Sequence, residues 1–314
     1  MKMLATTFCL GLGAILAVAI APAAWGQPCQ QPITDYGDAP ECIPAYPGVI
    51  GHFPTCVSPC ASAGTQESAC LPPRSTAPAG PAGFVEHYLP AGAPHFWLGC
   101  FGSPGTPGGI DSEPDGKVNT PPVGFSACAP GLPTDCVGAT PFALTFDQDE
   151  CAGDGVDAGL AAQPGFITCV PSSITFTTSN CGSAPVQAVL NILVDWNGDG
   201  DWNDNFFCSD IFVGCVYEWA VKNVAIEIPP GCTSQTSPSI QPALFQGPAW
   251  LRITITQDPV PDDYPWNGSL SSALTGPDGH HVFLNGETED YPAFINGHTP
   301  TEQRTWGEVK ARYR

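Results

Sequence analysis

Arg252-Ile253-Thr254-Ile255-Thr256 alternates a branched apolar residue with a polar one, and Trp250-Leu251 lead into it. Successive side chains of a strand point to opposite sides of a sheet, so this stretch reads as a strand with one buried face. Outward from it, short runs rich in β-branched and aromatic residues fall at 142–146, 166–170, 174–178, 186–196, 216–228, 281–284 and 291–295, with turn residues between them. No stretch of about 11 residues holds a Pro-free helical period with capping signals. The pattern predicts an all-β protein, an antiparallel β-sandwich spanning residues 141–297.

Residues 27–140 have another texture, dominated by Pro, Gly, Ala and Cys. Pro72-Pro73-Arg74-Ser75-Thr76-Ala77-Pro78-Ala79-Gly80-Pro81 excludes helix and central strand. The expected form is a long, irregular, disulfide-stapled N-terminal region. It is either a domain of its own or an extension packed on the sandwich. The second is favoured, because a loop-rich segment buries little core by itself. With 43% hydrophobic residues the chain has enough apolar surface to fold despite 35 Gly and 36 Pro.

The compartment is read from the first 26 residues. Lys2 precedes an uncharged apolar run over 4–21, and Pro22-Ala23-Ala24-Trp25-Gly26-Gln27 offers small residues at Ala24 and Gly26 for cleavage before Gln27. A retained membrane anchor is the alternative, since the run is near the lower limit for a spanning helix. Cleavage leaves no further span and predicts an extracellular or cell-surface protein. Cysteine usage agrees: with Cys9 in the leader, 14 of the 15 cysteines remain, an even set without any C-x-x-C pair. Such a set in an exported chain is a disulfide framework and not a zinc ribbon or redox site.

Loss of Lys2 with the leader takes the formal charge from −21 to −22. Arg304, Lys310, Arg312 and Arg314 place half of the remaining basic residues in a basic tail, 298–314. So acidic a body makes nucleic acid and anionic membranes poor partners, with no nucleic acid expected, and favours divalent cations. In the tail, Thr305-Trp306-Gly307-Glu308 matches a helix capping box. It is either a docking segment for an acidic partner or an end lying on the protein's own surface.

The sharpest motif is Asp195-Trp196-Asn197-Gly198-Asp199-Gly200-Asp201-Trp202-Asn203-Asp204. Oxygen donors at alternate positions with glycines between them suit Ca²⁺, which takes six to eight oxygen ligands around a sharp turn. The twelfth position of an EF-hand carries a bidentate carboxylate; here it is Phe206, and the flank Val189-Leu190-Asn191-Ile192-Leu193-Val194 is strand-like. The expectation is therefore a strand-borne calcium loop with ligands Asp195, Asn197, Asp199 and Asp201, and with Asp204 as a fifth. The alternative is a metal-free acidic turn. Asp111-Ser112-Glu113-Pro114-Asp115-Gly116 and the acidic stretch from Asp147 to Asp157 are weaker loops of the same kind. Gly286-Glu287-Thr288-Glu289-Asp290-Tyr291 is a candidate to supply the loop with a distant carboxylate.

That last motif, the Asp195–Asp201 stretch and the opening Asp35-Tyr36-Gly37-Asp38-Ala39-Pro40 together resemble the GEVED-domain family of secreted bacterial proteins, with Thr288 in place of the family's Val. The likeness covers about residues 186–296. It implies a β-sandwich on an extracellular or surface protein, beside adhesion or enzyme modules, and implies no established catalytic activity.

No G-x-S-x-G, H-E-x-x-H or phosphate loop is present. A non-enzymatic protein with a structural or adhesive role, binding a cell-surface glycan or protein, is the expectation. The alternatives are a secreted hydrolase and a carbohydrate-binding protein. For the latter, Trp196, Trp202, Trp219, Trp250 and Trp266 are the aromatic faces to consider, although core packing explains strand tryptophans equally well.

Overall fold

The computed structural model describes most of residues 37–55 and 62–69, short stretches at 85–88 and 96–99, and most of 159–297 except 209–213, 262–264, 270–273 and 276–280. The leader, the run at 142–146, the acidic stretches at 111–116 and 147–157 and the basic tail lie outside the described residues.

Among the described residues there are strands and no helix. In chain order they are β1 (Glu41–Tyr46), β2 (Val49–His52), β3 (His87–Tyr88), β4 (Phe96–Leu98), β5 (Gly165–Ile167), β6 (Thr175–Asn180), β7 (Val186–Val194), β8 (Asn205–Cys208), β9 (Gly214–Tyr217), β10 (Trp219–Ile228), β11 (Gly231–Thr236), β12 (Gly247–Thr256), β13 (Leu274–Thr275), β14 (His281–Leu284) and β15 (Glu287–Asn296). The main sheet runs β10-β7-β12-β15-β5, antiparallel except for the parallel β15–β5 pair. A second sheet, β11-β6-β4, faces it. All-β architecture in antiparallel sheets is thus the fold.

The opening stretch lies on β12, at the centre of the main sheet. Its isoleucines, Ile253 and Ile255, point into a core shared with Leu190, Ile192, Tyr291, Phe96, Leu98 and Phe176. The expectation of one buried face is corrected here. Arg252, Thr254 and Thr256 are also buried, at 0%, 1% and 1% exposure. A second cluster covers that side, with Leu193 and Trp250 of the sheet packed with Tyr46, Phe53, Trp202, Trp219, Trp266 and Phe283. Residues of the Pro-rich N-terminal region therefore form a layer on the sandwich, and the polar positions of β12 are interior.

One disulfide, Cys169–Cys208, joins the turn after β5 to the end of β8, with a Cα–Cα distance of 5.9 Å and a sequence separation of 39. A loop of that length gives about 4 kcal/mol of chain-entropy stabilisation. Cys215 and Cys232 are disulfide-bonded as well.

Candidate metal centre

The acidic motif forms the connection between β7 and β8. Asp195 organises it: Oδ1 accepts the amides of Gly198 (2.7 Å) and Asp199 (3.3 Å), and Oδ2 accepts that of Gly200 (3.0 Å). This curl requires positive φ at Gly198 (70°) and Gly200 (95°). At Gly200 a Cβ would also meet the carbonyl oxygen of Ile50 at 2.5 Å, so glycine is needed there twice over. Tyr46 hydrogen-bonds Asp195 through its hydroxyl, which also accepts the amide of Trp250 at 2.8 Å.

The base of the loop is closed by Glu218, between β9 and β10. Its Oε1 accepts the Trp196 amide (2.9 Å) and its Oε2 the Asp204 amide (3.0 Å). Sequence reading missed Glu218. The signal was a lone acid set between Tyr217 and Trp219 in an otherwise apolar and aromatic run.

Three of the five expected ligands converge. Carboxylate oxygens of Asp199, Asp201 and Asp204 lie within 4.8 Å of one another. Asn197 sits beside them, donating from Nδ2 to Asp204 Oδ2 at 2.9 Å. Asp195 is placed below, as acceptor of the loop amides. Asp201 and Asp204 are buried, yet Oδ1 of Asp199 is buried without a hydrogen-bond partner. An oxygen of this kind costs free energy unless a positive group reaches it.

Electrostatics points the same way. Burial, then the charges of Asp199 and Asp204, push Asp201 up to about 9. Burial, opposed by the Glu67 amide and reinforced by Asp199, brings Asp204 to about 8, and burial with Asp199 brings Asp195 to about 7. Asp199 and Glu218 are raised too, again chiefly by burial. Ionising this set without a counter-charge is unfavourable, whereas a bound cation reverses the balance.

Two of the three acids of the GEVED-like motif, Glu287 and Asp290, are engaged away from the loop. Asp290 holds Arg252, directly opposite it on β12, through Nε–Oδ1 (2.6 Å) and Nη2–Oδ2 (2.5 Å). Both side chains are fully buried. Arg252 also donates to the Pro54 carbonyl (2.5 Å) and stacks over Trp202, 4.6 Å from the ring centroid. Glu287 accepts the amide of Leu98 at 2.5 Å. The N-terminal opening reaches the same pair: Ala39 donates its amide to Asp290 Oδ2 (2.8 Å) across 251 residues. A Cβ on Gly37 would lie 2.8 Å from Asp290 Oδ2 and 2.9 Å from Arg252 Nη2. Two motifs of the resemblance, at opposite ends of the chain, thus meet around one buried arginine.

Trp196, Trp202, Trp219, Trp250 and Trp266 are all at most 4% exposed. None presents a face to a sugar ring, which removes the feature behind a carbohydrate-binding reading. They are core residues; Trp219 and Trp266, for example, pack with centroids 4.7 Å apart.

No family model matches the chain, and no curated protein does. Among solved structures it is similar to the CARDB domain of a Pyrococcus furiosus protein in complex with di-metal ions, at 8% identity and a TM-score of 0.22, over 44% of this chain and 86% of that one. A superposition this loose assigns neither a ligand nor a family.

Proposed function

We propose that the protein is an exported calcium-binding β-sandwich module with a structural or adhesive role outside the cell, of the GEVED-domain type. The observation that carries the metal assignment is the convergence of Asp199, Asp201 and Asp204 around a buried, unpartnered carboxylate oxygen. The donors are all hard oxygens, which suit Ca²⁺ better than a soft transition metal. Asp199, Asp201 and Asp204 would hold the ion, with Asn197 and Asp195 as neighbours in the loop. The ion would supply the positive charge that allows these carboxylates to remain ionised at neutral pH. Export is supported by the leader and the cysteine framework, and the GEVED reading by the order of its three motifs.

Raised carboxylates are also what a hydrolase uses as a general acid, which keeps a secreted hydrolase as the second reading. Against it, Asp201 and Asp204 are only 2% and 0% exposed and are taken up by backbone amides, a poor position from which to reach a polymeric substrate.

A thermal melt of the oxidised mature protein, in millimolar calcium and in chelator, tests the proposal. Binding linkage predicts a rise of several degrees with calcium that Asp199→Ala abolishes. Equal melting temperatures in both solutions would reject the calcium assignment.

A further inference from the structure

Residues 62–69 run across the metal loop in an unusual way. Ala63 is buried, but Ser62, Thr65, Glu67, Ser68 and Ala69 are exposed, so little apolar surface holds the segment down. Among the described residues it is tied by polar contacts to the loop, to Asn205 at the start of β8 and, through the Ser62 carbonyl, to His52 of β2. The Thr65 amide donates to Asp201 Oδ2 at 2.8 Å, and the Glu67 amide donates to Asp204 Oδ1. Asn203 Nδ2 donates to the Ala63 carbonyl (2.9 Å), and the Asn205 amide to the Glu67 carbonyl (2.9 Å). The Ala69 amide returns a bond to the Asn205 carbonyl at 3.0 Å. Gly64, at φ 84°, allows the segment to descend onto Asp201, where a Cβ would stand 1.8 Å from Oδ2.

We propose that residues 62–69 form a strap whose closure over the loop is coupled to cation binding, so that occupancy of the site is read out as docking of this N-terminal segment. The coupling rests on the cation reading given above. Its physical basis is a shared pair of carboxylates. A backbone amide donates well to an ionised carboxylate held in one orientation, and a cation on Asp199, Asp201 and Asp204 holds them so. The closed strap in turn shields the site from water, which strengthens every charge interaction inside it. Both events favour the same arrangement, and linkage makes the coupling reciprocal. Because little apolar contact anchors the strap among the described residues, its opening free energy is expected to sit at the low end of the protein's range.

Amide hydrogen exchange of the full mature, oxidised protein, with calcium and with chelator, provides the test, alongside calorimetric titration with calcium chloride. Calcium is expected to slow exchange at Thr65 and Glu67 by about tenfold or more. Gly64→Ala is expected to weaken calcium binding by a similar factor, as reciprocity requires. The wild-type exchange data stand whether or not that variant folds. Calcium binding in the calorimeter with no change in exchange at Thr65 and Glu67 would overturn the strap and leave the metal site intact. Absence of any calcium binding would overturn both.

Discussion

His87 is an interior histidine whose two ring nitrogens are both engaged, Nδ1 with the Asn285 carbonyl (3.0 Å) and Nε2 with the Thr288 hydroxyl (2.8 Å). Burial is the main cause that lowers it to about 4, and the nearby charge of Arg252 adds to the effect. The folded state therefore resists a proton that the unfolded chain accepts below about 6.5. Stability from this residue is complete above pH 6.5 and is lost as pH falls towards 4, by roughly 3 kcal/mol in all. His87→Gln keeps a donor and an acceptor without the titration. Its denaturation curves between pH 7 and 4.5 should weaken less steeply than those of the wild type; parallel curves would contradict the account. Single residues of this sort were hard to foresee. His87 stands in a Pro-rich stretch with no periodicity, and only the tertiary fold brings it to Thr288. Glu218 was missed for a related reason, since its role is to close a loop that begins 23 residues earlier in the chain, at Asp195. The acidic cluster was more legible. Asp199, Asp201 and Asp204 lie within one short connection, so their proximity is visible in local spacing.

At the scale of elements, β12 and β15 show how far alternation can be trusted. Ile253 and Ile255 were readable as core residues from the period of two. The opposite face was not, because burial of Arg252 and Thr254 depends on a layer contributed by residues 39–55 and by the segments around Trp266 and Phe283. A charged residue inside an alternating run looks like a solvent position unless its partner is known. Here the partner is Asp290 on the adjacent strand, in register, at the position the GEVED-like motif supplies. Asp290→Asn leaves the arginine buried without the counter-charge of Asp290 and with one acceptor oxygen in place of two. Breaking a buried pair from one side costs about 3–5 kcal/mol. Urea denaturation should show a loss of that order, with the N-terminal layer affected as well, since Ala39 shares the same carboxylate. A change below about 1 kcal/mol, the range of a surface ion pair, would contradict the interior role assigned to Arg252.

For the whole molecule, the N-terminal region and the sandwich work as layers of one object, at least over the described residues. Tyr46 touches Asp195, Pro54 touches Arg252, and the 62–69 strap crosses the acidic loop. Composition hinted at this, because a Pro- and Gly-rich stretch has little core of its own. It did not show where the contacts fall, as they span well over a hundred residues and leave no local pattern. The acidic charge of the chain acquires a specific meaning in this arrangement. Part of it is concentrated in one buried loop, roofed by backbone, where a counter-ion would offset the cost of ionisation. Titration of calcium chloride into the oxidised mature protein in a calorimeter tests that claim most directly, with Asp199→Asn in parallel. The account predicts saturable binding by the wild type and its loss in the variant, since Asp199 Oδ1 is a buried oxygen of the loop with no hydrogen-bond partner among the described residues. No binding by the wild type, or equal binding by both proteins, would contradict it.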